Sequence, residues 1–285
     1  MVSGSCLCGR FAFEVEGPFQ YMGNCHCTYC RKSHGTAFAT FVGAPAAGFR
    51  WRKGDGEQSH YQSSPSVKRM FCPTCGSKLP GEAHGDTIYM PAGLLDGDPE
   101  VRPQAHFFTR SRAVWFEITD GVPTFDGMPP GMETPDLPTP ARSGKAHDGA
   151  VAGSCLCGTV AWEFTGMPPR MGFCHCSRCR KTRSAAFSSQ IFVPIDAFQW
   201  LAGEDKIVSY KLPESRFFGS AFCGTCAGPV PRTLSVMGMM ALPAGSLDDD
   251  PVARPMAHIF VGSKAPWYEI PKDNLIRFEE MPPSM

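Results

Sequence analysis

One short stretch occurs twice and has the residue types and spacing to hold a metal: Cys25-His26-Cys27-Thr28-Tyr29-Cys30-Arg31-Lys32 and Cys174-His175-Cys176-Ser177-Arg178-Cys179-Arg180-Lys181. A tight turn can aim all three thiols of a copy at one point. Three sulfurs around a zinc ion leave the fourth tetrahedral position to something other than protein. That vacancy separates a catalytic or substrate-binding zinc from a structural one. Cys25, Cys27 and Cys30, with Cys174, Cys176 and Cys179, are therefore the candidate catalytic ligands. Two other readings of the trio stay open: a closed site with His26 as fourth ligand, and a cluster of redox-active thiols. A histidine between two inward-pointing cysteines should point away, which weighs against the first.

Each copy has four further cysteines, Cys6, Cys8, Cys72 and Cys75 in one and Cys155, Cys157, Cys223 and Cys226 in the other. Closed structural zinc sites are usually built from two short chelating pairs distant in sequence, and these residues pair in that way. Fourteen cysteines without an export-type N-terminus point to metal or redox chemistry rather than to a disulfide framework. The Cys-x-Cys pairs are poorly placed for unstrained disulfides. Zinc is expected ahead of iron, two ions per domain and four per chain. Three thiolates on Zn²⁺ leave a net negative charge. Arg31, Lys32, Arg180 and Lys181 follow at once, either as a solvated turn or to offset that charge and meet the carboxylates of an anionic thiol. A sulfur-rich zinc is soft and suits one more sulfur, held there as the nucleophilic thiolate. No His-Glu-x-x-His occurs to suggest peptide hydrolysis.

The elements that position these residues are duplicated. Cysteines 6, 8, 25, 27 and 30 return 149 residues later, and Cys72 and Cys75 return 151 later. The small drift is what loops tolerate. The expected organisation is a domain over 1–130, a Pro/Gly-rich linker over 131–150 and a second domain over 151–285. Alternating stretches at 10–15, 37–42, 87–90 and 113–118, with counterparts at 159–164 and 186–193, read as strands. Helical periodicity is absent except for a turn after Cys30 and Cys179. The fold class is all-β, each domain made of small packed antiparallel sheets.

Lys+Arg and Asp+Glu are both 27 in 285 residues, so the net charge is zero, which weighs against nucleic acid or an anionic membrane as partner. No apolar stretch approaches the roughly 18–20 residues of a membrane span. The N-terminus shows no charged segment followed by an apolar run, so a soluble cytoplasmic protein is expected.

With these motifs in view, each half resembles the glutathione-dependent formaldehyde-activating enzyme family, whose domain is shared with the centromere protein V group. The residues that carry the resemblance are Gly4-Ser-Cys-Leu-Cys-Gly9, Cys25-His-Cys-Thr-Tyr-Cys-Arg31, Arg69-Met-Phe-Cys-Pro-Thr-Cys-Gly76, Pro91-Ala-Gly-Leu-Leu-Asp96 and Trp115-Phe-Glu-Ile118. The resemblance implies a tandem pair of Mss4-like β domains, each with a structural zinc on the two outer pairs and a second zinc on the trio. It also implies a carbon–sulfur lyase that condenses formaldehyde with glutathione to S-hydroxymethylglutathione, or runs the reverse, with glutathione and a small aldehyde as partners. The competing function is a non-catalytic zinc-stabilised module that binds protein or nucleic acid.

The halves differ at two positions that matter. Ser220 stands where the first half has Arg69, and Ala227 where it has Gly76. An alanine resists a positive φ, so the second structural site is expected to be distorted. Trp115 and Trp267 read as core residues in strands, His106 and His258 as core histidines bonded to backbone, and Asp96 and Asp248 as turn residues.

Overall fold

The computed structural model describes residues 1–131, 140, 144 and 146–282, so most of the expected linker lies outside the described residues. The first half runs β1 (Val2–Ser5), β2 (Ala12–Val15), β3 (Tyr21–Cys25), α1 (Thr28–His34), β4 (Ala39–Pro45), β5 (Phe49–Lys53), β6 (Ser59–Ser64), β7 (Val67–Phe71), β8 (Thr87–Pro91) and β9 (His106–Phe107). The second repeats it as β10 (Val151–Ser154), β11 (Ala161–Phe164), β12 (Arg170–Cys174), α2 (Ser177–Arg183), β13 (Ser188–Pro194), β14 (Phe198–Ala202), β15 (Ile207–Lys211) and β16 (Gly219–Cys223). It continues through β17 (Arg232–Leu234), β18 (Met239–Pro243), β19 (Ala257–Ile259) and β20 (Ile276–Arg277).

Among the described residues each half contains three sheets. In the first they are β1-β2-β5, β8-β4-β3-β9 and the β6-β7 hairpin. The pairings are antiparallel except β3 with β9 and its counterpart β12 with β19, which run parallel, as does β19 with β20. Cross-strand aromatics pin the first sheet: Phe13 of β2 meets Phe49 at 5.4 Å and Trp51 at 5.9 Å between ring centroids. Trp162, Phe198 and Trp200 repeat this arrangement in the second half.

The strand expected over 113–118 is absent. Phe116 N–H instead donates to the Ala113 carbonyl, closing a turn. Trp115 and Phe116 are both buried while Val114 is exposed, so consecutive side chains share the core side. A pleated strand would send them to opposite faces. Both tryptophans remain core residues, as expected.

The two halves are not beads on a linker. Their buried side chains form one continuous cluster, in which Phe38 meets Phe187 at 5.4 Å and Tyr268 at 6.4 Å. Reciprocal lysines cross between them. Lys32 Nζ reaches Asp248 Oδ1 at 2.7 Å and Ser154 Oγ at 2.7 Å, and Lys181 Nζ reaches Asp96 Oδ1 at 2.6 Å and Ser5 Oγ at 2.6 Å. Asp96 and Asp248 are thus pseudo-symmetric anchors between the halves as well as turn residues.

Backbone comes closest beside the helices. A Cβ on Gly93 would stand 2.1 Å from Ala185 N, and one on Gly245 would stand 2.3 Å from Thr36 N. No side-chain rotation can relieve a clash with backbone. Gly93→Ala should therefore push the halves apart and cost at least the roughly 1–3 kcal/mol typical of overpacking. A denaturation midpoint equal to the wild type would contradict this.

Candidate metal centres

Each four-cysteine set is assembled from the β1–β2 turn and the turn that follows β7, or from their counterparts after β10 and β16. In both halves all four sulfurs lie within 4.8 Å of one another. Cys6 and Cys8 Sγ are 3.5 Å apart, Cys8 and Cys72 3.6 Å, Cys155 and Cys157 3.5 Å, and Cys157 and Cys223 3.8 Å. Sulfurs at the corners of a tetrahedron with metal–sulfur bonds of about 2.3 Å stand about 3.8 Å apart, so the donor sets fit one tetrahedral ion each. Amides support them: Phe11 N–H donates to Cys6 Sγ at 3.4 Å, and Val160 N–H to Cys155 Sγ at 3.3 Å.

The distortion expected at Ala227 is not found. Its φ is +52°, against +76° at Gly76, and its N–H donates to Cys223 O at 2.8 Å as Gly76 N–H does to Cys72 O at 2.9 Å. The same turn forms with an alanine in it, at a cost of about 1–2 kcal/mol in the left-handed region. The two knuckles are also tied together. Lys78 Nζ donates to Gly76 O at 2.7 Å and Ala227 O at 2.6 Å, and Ser220 Oγ donates to Cys75 O at 3.2 Å. Burial pushes the Lys78 ammonium down to about 7.

The three-cysteine sets are built by a strand end and a helix start. Cys25 closes β3. Cys27 caps α1, its sulfur accepting Cys30 N–H at 3.4 Å, and Cys176 caps α2 in the same way with Cys179 N–H. The expected single turn is thus a seven-residue helix that begins before the last cysteine of each trio. Among the described residues no fourth His, Cys, Asp or Glu joins either trio. His26 in particular is turned away, as expected. Its Nε2 meets His106 Nδ1 at 2.8 Å, and His106 Nε2 donates to Asp120 Oδ2 at 2.9 Å. His175, His258 and Asp273 repeat the chain with contacts of 2.8 and 2.7 Å. His106 and His258 are therefore held by side chains, not by backbone. Asp120 and Asp273 escaped the sequence reading, because the displacement of 152 that aligns Trp115 with Trp267 sets Asp120 against Lys272, one residue before Asp273.

Burial pushes both His26 and His175 down to about 3. An unfolded histidine titrates near 6.5, so the unfolded chain takes up protons first as pH falls. Their contribution to stability is complete above about pH 6.5 and is lost on the way to pH 3. Urea midpoints should fall between pH 7.5 and 4.5, and His26→Gln should make that fall shallower. An unchanged slope in the variant would show that His26 does not titrate in this window.

The four basic residues after the trios separate into two kinds. Lys32 and Lys181 do not meet the thiols of their own trio. They cross to the opposite half, where Lys32 Nζ donates to Ser154 O at 2.9 Å, Lys181 Nζ donates to Ser5 O at 3.1 Å, and Cys155 bears electrostatically on Lys32. Each lysine lies one residue beyond the arginine, on a helix face that points at the other half. Arg31 donates from Nε to Ser111 O at 3.1 Å and feels the charge of Cys27. Arg180 is buried, feels Cys176, and has Nε and Nη1 without a hydrogen-bond partner among the described residues.

A cation not assigned to the site from sequence does reach it. Arg69 of β7 places Nη1 and Nη2 3.9 and 4.0 Å from Cys30 Sγ, with Nε on Ser63 Oγ at 3.0 Å. Hydrogen bonds from Cys25 and Cys27 pull the Cys30 thiol well below its ordinary value, and Arg69 adds to the effect. Ser220 replaces Arg69 in the second half, yet Arg183 and Arg232 bear on Cys179 there. Positive charge is kept at both trios from different sequence positions.

The space beside the trios is unequal. Arg69 also lines a cavity of about 210 Å³ with His34, Phe41, Lys78 and Tyr89. Its counterpart beside Cys179 is about 30 Å³ and is narrowed by Arg183 and Arg232. No helix among the described residues is long and apolar enough to cross a membrane.

Two segments, residues 1–111 and 150–263, match the family model described as glutathione-dependent formaldehyde-activating enzyme. None of the curated proteins matches. Among solved structures, a crystal structure of a Rhodobacter sphaeroides protein is 26% identical, over 34% of this chain and 89% of that one, with a TM-score of 0.29. The matched segments take in both trios, both four-cysteine sets and most of the chain, which therefore belongs to the glutathione-dependent formaldehyde-activating enzyme family, as a tandem duplication.

Proposed function

We propose that this protein is a cytoplasmic zinc enzyme of the carbon–sulfur lyase class that joins glutathione to formaldehyde as S-hydroxymethylglutathione, or releases it. The observation that carries the reading is a trio of thiols, Cys30 buried and Cys25 and Cys27 half-buried, that gains no fourth protein ligand among the described residues and lies beside a basic cavity. Four zinc ions per chain would be held, one by each cysteine set. Tetrahedral sulfur sets of this size favour zinc over harder cations. A zinc on a trio supplies a soft Lewis-acidic position that favours the thiolate form of an incoming thiol.

The protein's own residues do the rest. Arg69 offsets the charge gathered on the trio of the first half. The unpartnered donors of Arg180, and Arg31 at the matching place, are the candidates to receive a carboxylate of the thiol.

Exchange NMR with ¹³C-formaldehyde and glutathione tests the activity. The expected result is interconversion of free and thiol-bound carbon faster than the uncatalysed rate, lost on Cys30→Ala. An unchanged exchange rate at micromolar protein would dispose of the reaction.

A further inference from the structure

The two trios share their ligands and their positive charge but not the group one helical turn beyond the last cysteine. His34 stands there in the first half and Arg183 in the second. His34 ends α1, where Gly35 at φ +64° closes the helix and its N–H bonds Arg31 O. Its Nδ1–H donates to the backbone carbonyl of Arg183, from the other half, at 2.7 Å. A carbonyl only accepts, so this bond fixes the tautomer and leaves Nε2 as the bare, proton-accepting nitrogen. The ring packs edge-on against Phe41 at 5.7 Å, which holds its plane. Nε2 has no hydrogen-bond partner among the described residues, and His34 lines the 210 Å³ cavity together with Arg69, the residue that touches Cys30.

We propose that His34 is the proton-transfer residue of the first half, and that the second half serves this site by holding the histidine in the required tautomer. The proposal rests on the thiol-and-aldehyde reading above. A thiol R–SH entering the cavity gives its proton to Nε2 and becomes R–S⁻. The sulfur lone pair forms the S–C bond with formaldehyde, and the carbonyl π pair moves onto oxygen. That oxygen takes the proton back from Nε2–H, giving R–S–CH₂–OH with every atom and electron accounted for. Reversal uses the same proton in the opposite order.

The surroundings suit a group that starts neutral. Burial pushes His34 down to about 4; Cys30 raises it, while Lys78 and Arg69 lower it further. A thiolate forming in the cavity stabilises the imidazolium, since an opposite charge close by favours the charged form. The cavity wall also carries Lys68, which pairs with Glu82, Lys78, whose ammonium is bonded to two carbonyls, and the imidazole of His84, which packs against Tyr89 at 6.5 Å. His84 is the other imidazole on the wall, but among the described residues no side-chain hydrogen bond fixes its tautomer as the Arg183 carbonyl fixes that of His34. In the second half Arg183 is a permanent cation and cannot accept a proton, and the space beside Cys179 is about 30 Å³. Turnover is therefore assigned to the first half.

The test uses the full zinc-loaded chain as wild type, His34→Gln and His34→Ala. Exchange NMR with glutathione and formaldehyde reads the rate, native mass spectrometry reads metal content, and ¹⁵N NMR of the histidine ring reads the tautomer. The expected result is a loss of about 10²- to 10⁴-fold in rate for His34→Gln with metal content unchanged. Added imidazole should partly restore His34→Ala, which a merely structural role would not allow. The ring signal should show Nδ1–H and bare Nε2 at neutral pH, and should move toward the doubly protonated form when glutathione alone is added. Wild-type turnover with an equally fast His34→Gln would overturn the proposal and leave the proposed function standing. Absence of turnover in the wild type would remove the proposed reaction; glutathione-dependent protonation of Nε2 would still support His34 as the acceptor of a thiol proton. No change at Nε2 on adding glutathione would overturn the proposal in either case.

Discussion

Cys75→Ala should unfold the protein, whereas Cys30→Ala should leave it folded. Cys75 and its three partners join the first turn of the chain to the turn after β7, more than sixty residues later. A metal held by four thiolates is worth on the order of 10 kcal/mol to the fold that assembles the site, as much as the whole stability of an ordinary domain. Removing one ligand leaves the others clustered around an incomplete site at the centre of the half. The damage should spread, because Lys78 and Ser220 bind the two four-cysteine turns to each other and the core is shared. Far-UV circular dichroism and native mass spectrometry of Cys75→Ala should show one broad loss of structure across both halves. Cys30 belongs to a trio that joins only a strand end to the following helix, so its loss should cost one metal and little structure. If Cys75→Ala melted like the wild type, the four-cysteine set would not be what fastens the fold.

Lys32→Met should destabilise the protein far more than Lys181→Met, although the two lysines are counterparts that meet equivalent partners, Asp248 and Ser154 for one and Asp96 and Ser5 for the other. Their burial separates them. The side chains of Lys32 and Asp248 are 1% and 13% exposed, those of Lys181 and Asp96 14% and 42%. Breaking a buried pair leaves a desolvated charge without its partner and costs about 3–5 kcal/mol. An exposed pair is screened by water and is worth about 1 kcal/mol or less. Asp248 would also lose the cation at a point where Ser154 Oγ already donates to it at 2.8 Å. Urea titration of the two variants measures the difference directly. Equal midpoints would mean that the contact between the halves does not depend on the desolvated pair.

The residues by themselves determined which cysteines cluster closely enough to share a metal ion, the duplication and the all-β class. Each of these rests on local chemistry: thiols two or three residues apart are held together by the chain itself, and alternation within a strand is a short-range pattern. That His26 turns away from its trio was legible for the same reason, because side chains of adjacent residues diverge. Only the tertiary structure decided what lies opposite each group. Lys32 and Lys181 read as site residues because they follow the trio, but the helix rotates them about 100° past the arginine and into the other half. Arg69 reaches Cys30 from a strand nearly forty residues away, and Arg183 and Arg232 replace it in the second half from positions no repeat alignment links to it. The strand misread at 113–118 has the same origin, since the Phe116 N–H closes a turn onto the Ala113 carbonyl instead of pairing with a neighbouring strand, and packing decides between the two. Spacing along the chain fixes which atoms can share a metal, whereas contacts across a shared core depend on how two sheets and two halves pack, which no local pattern encodes.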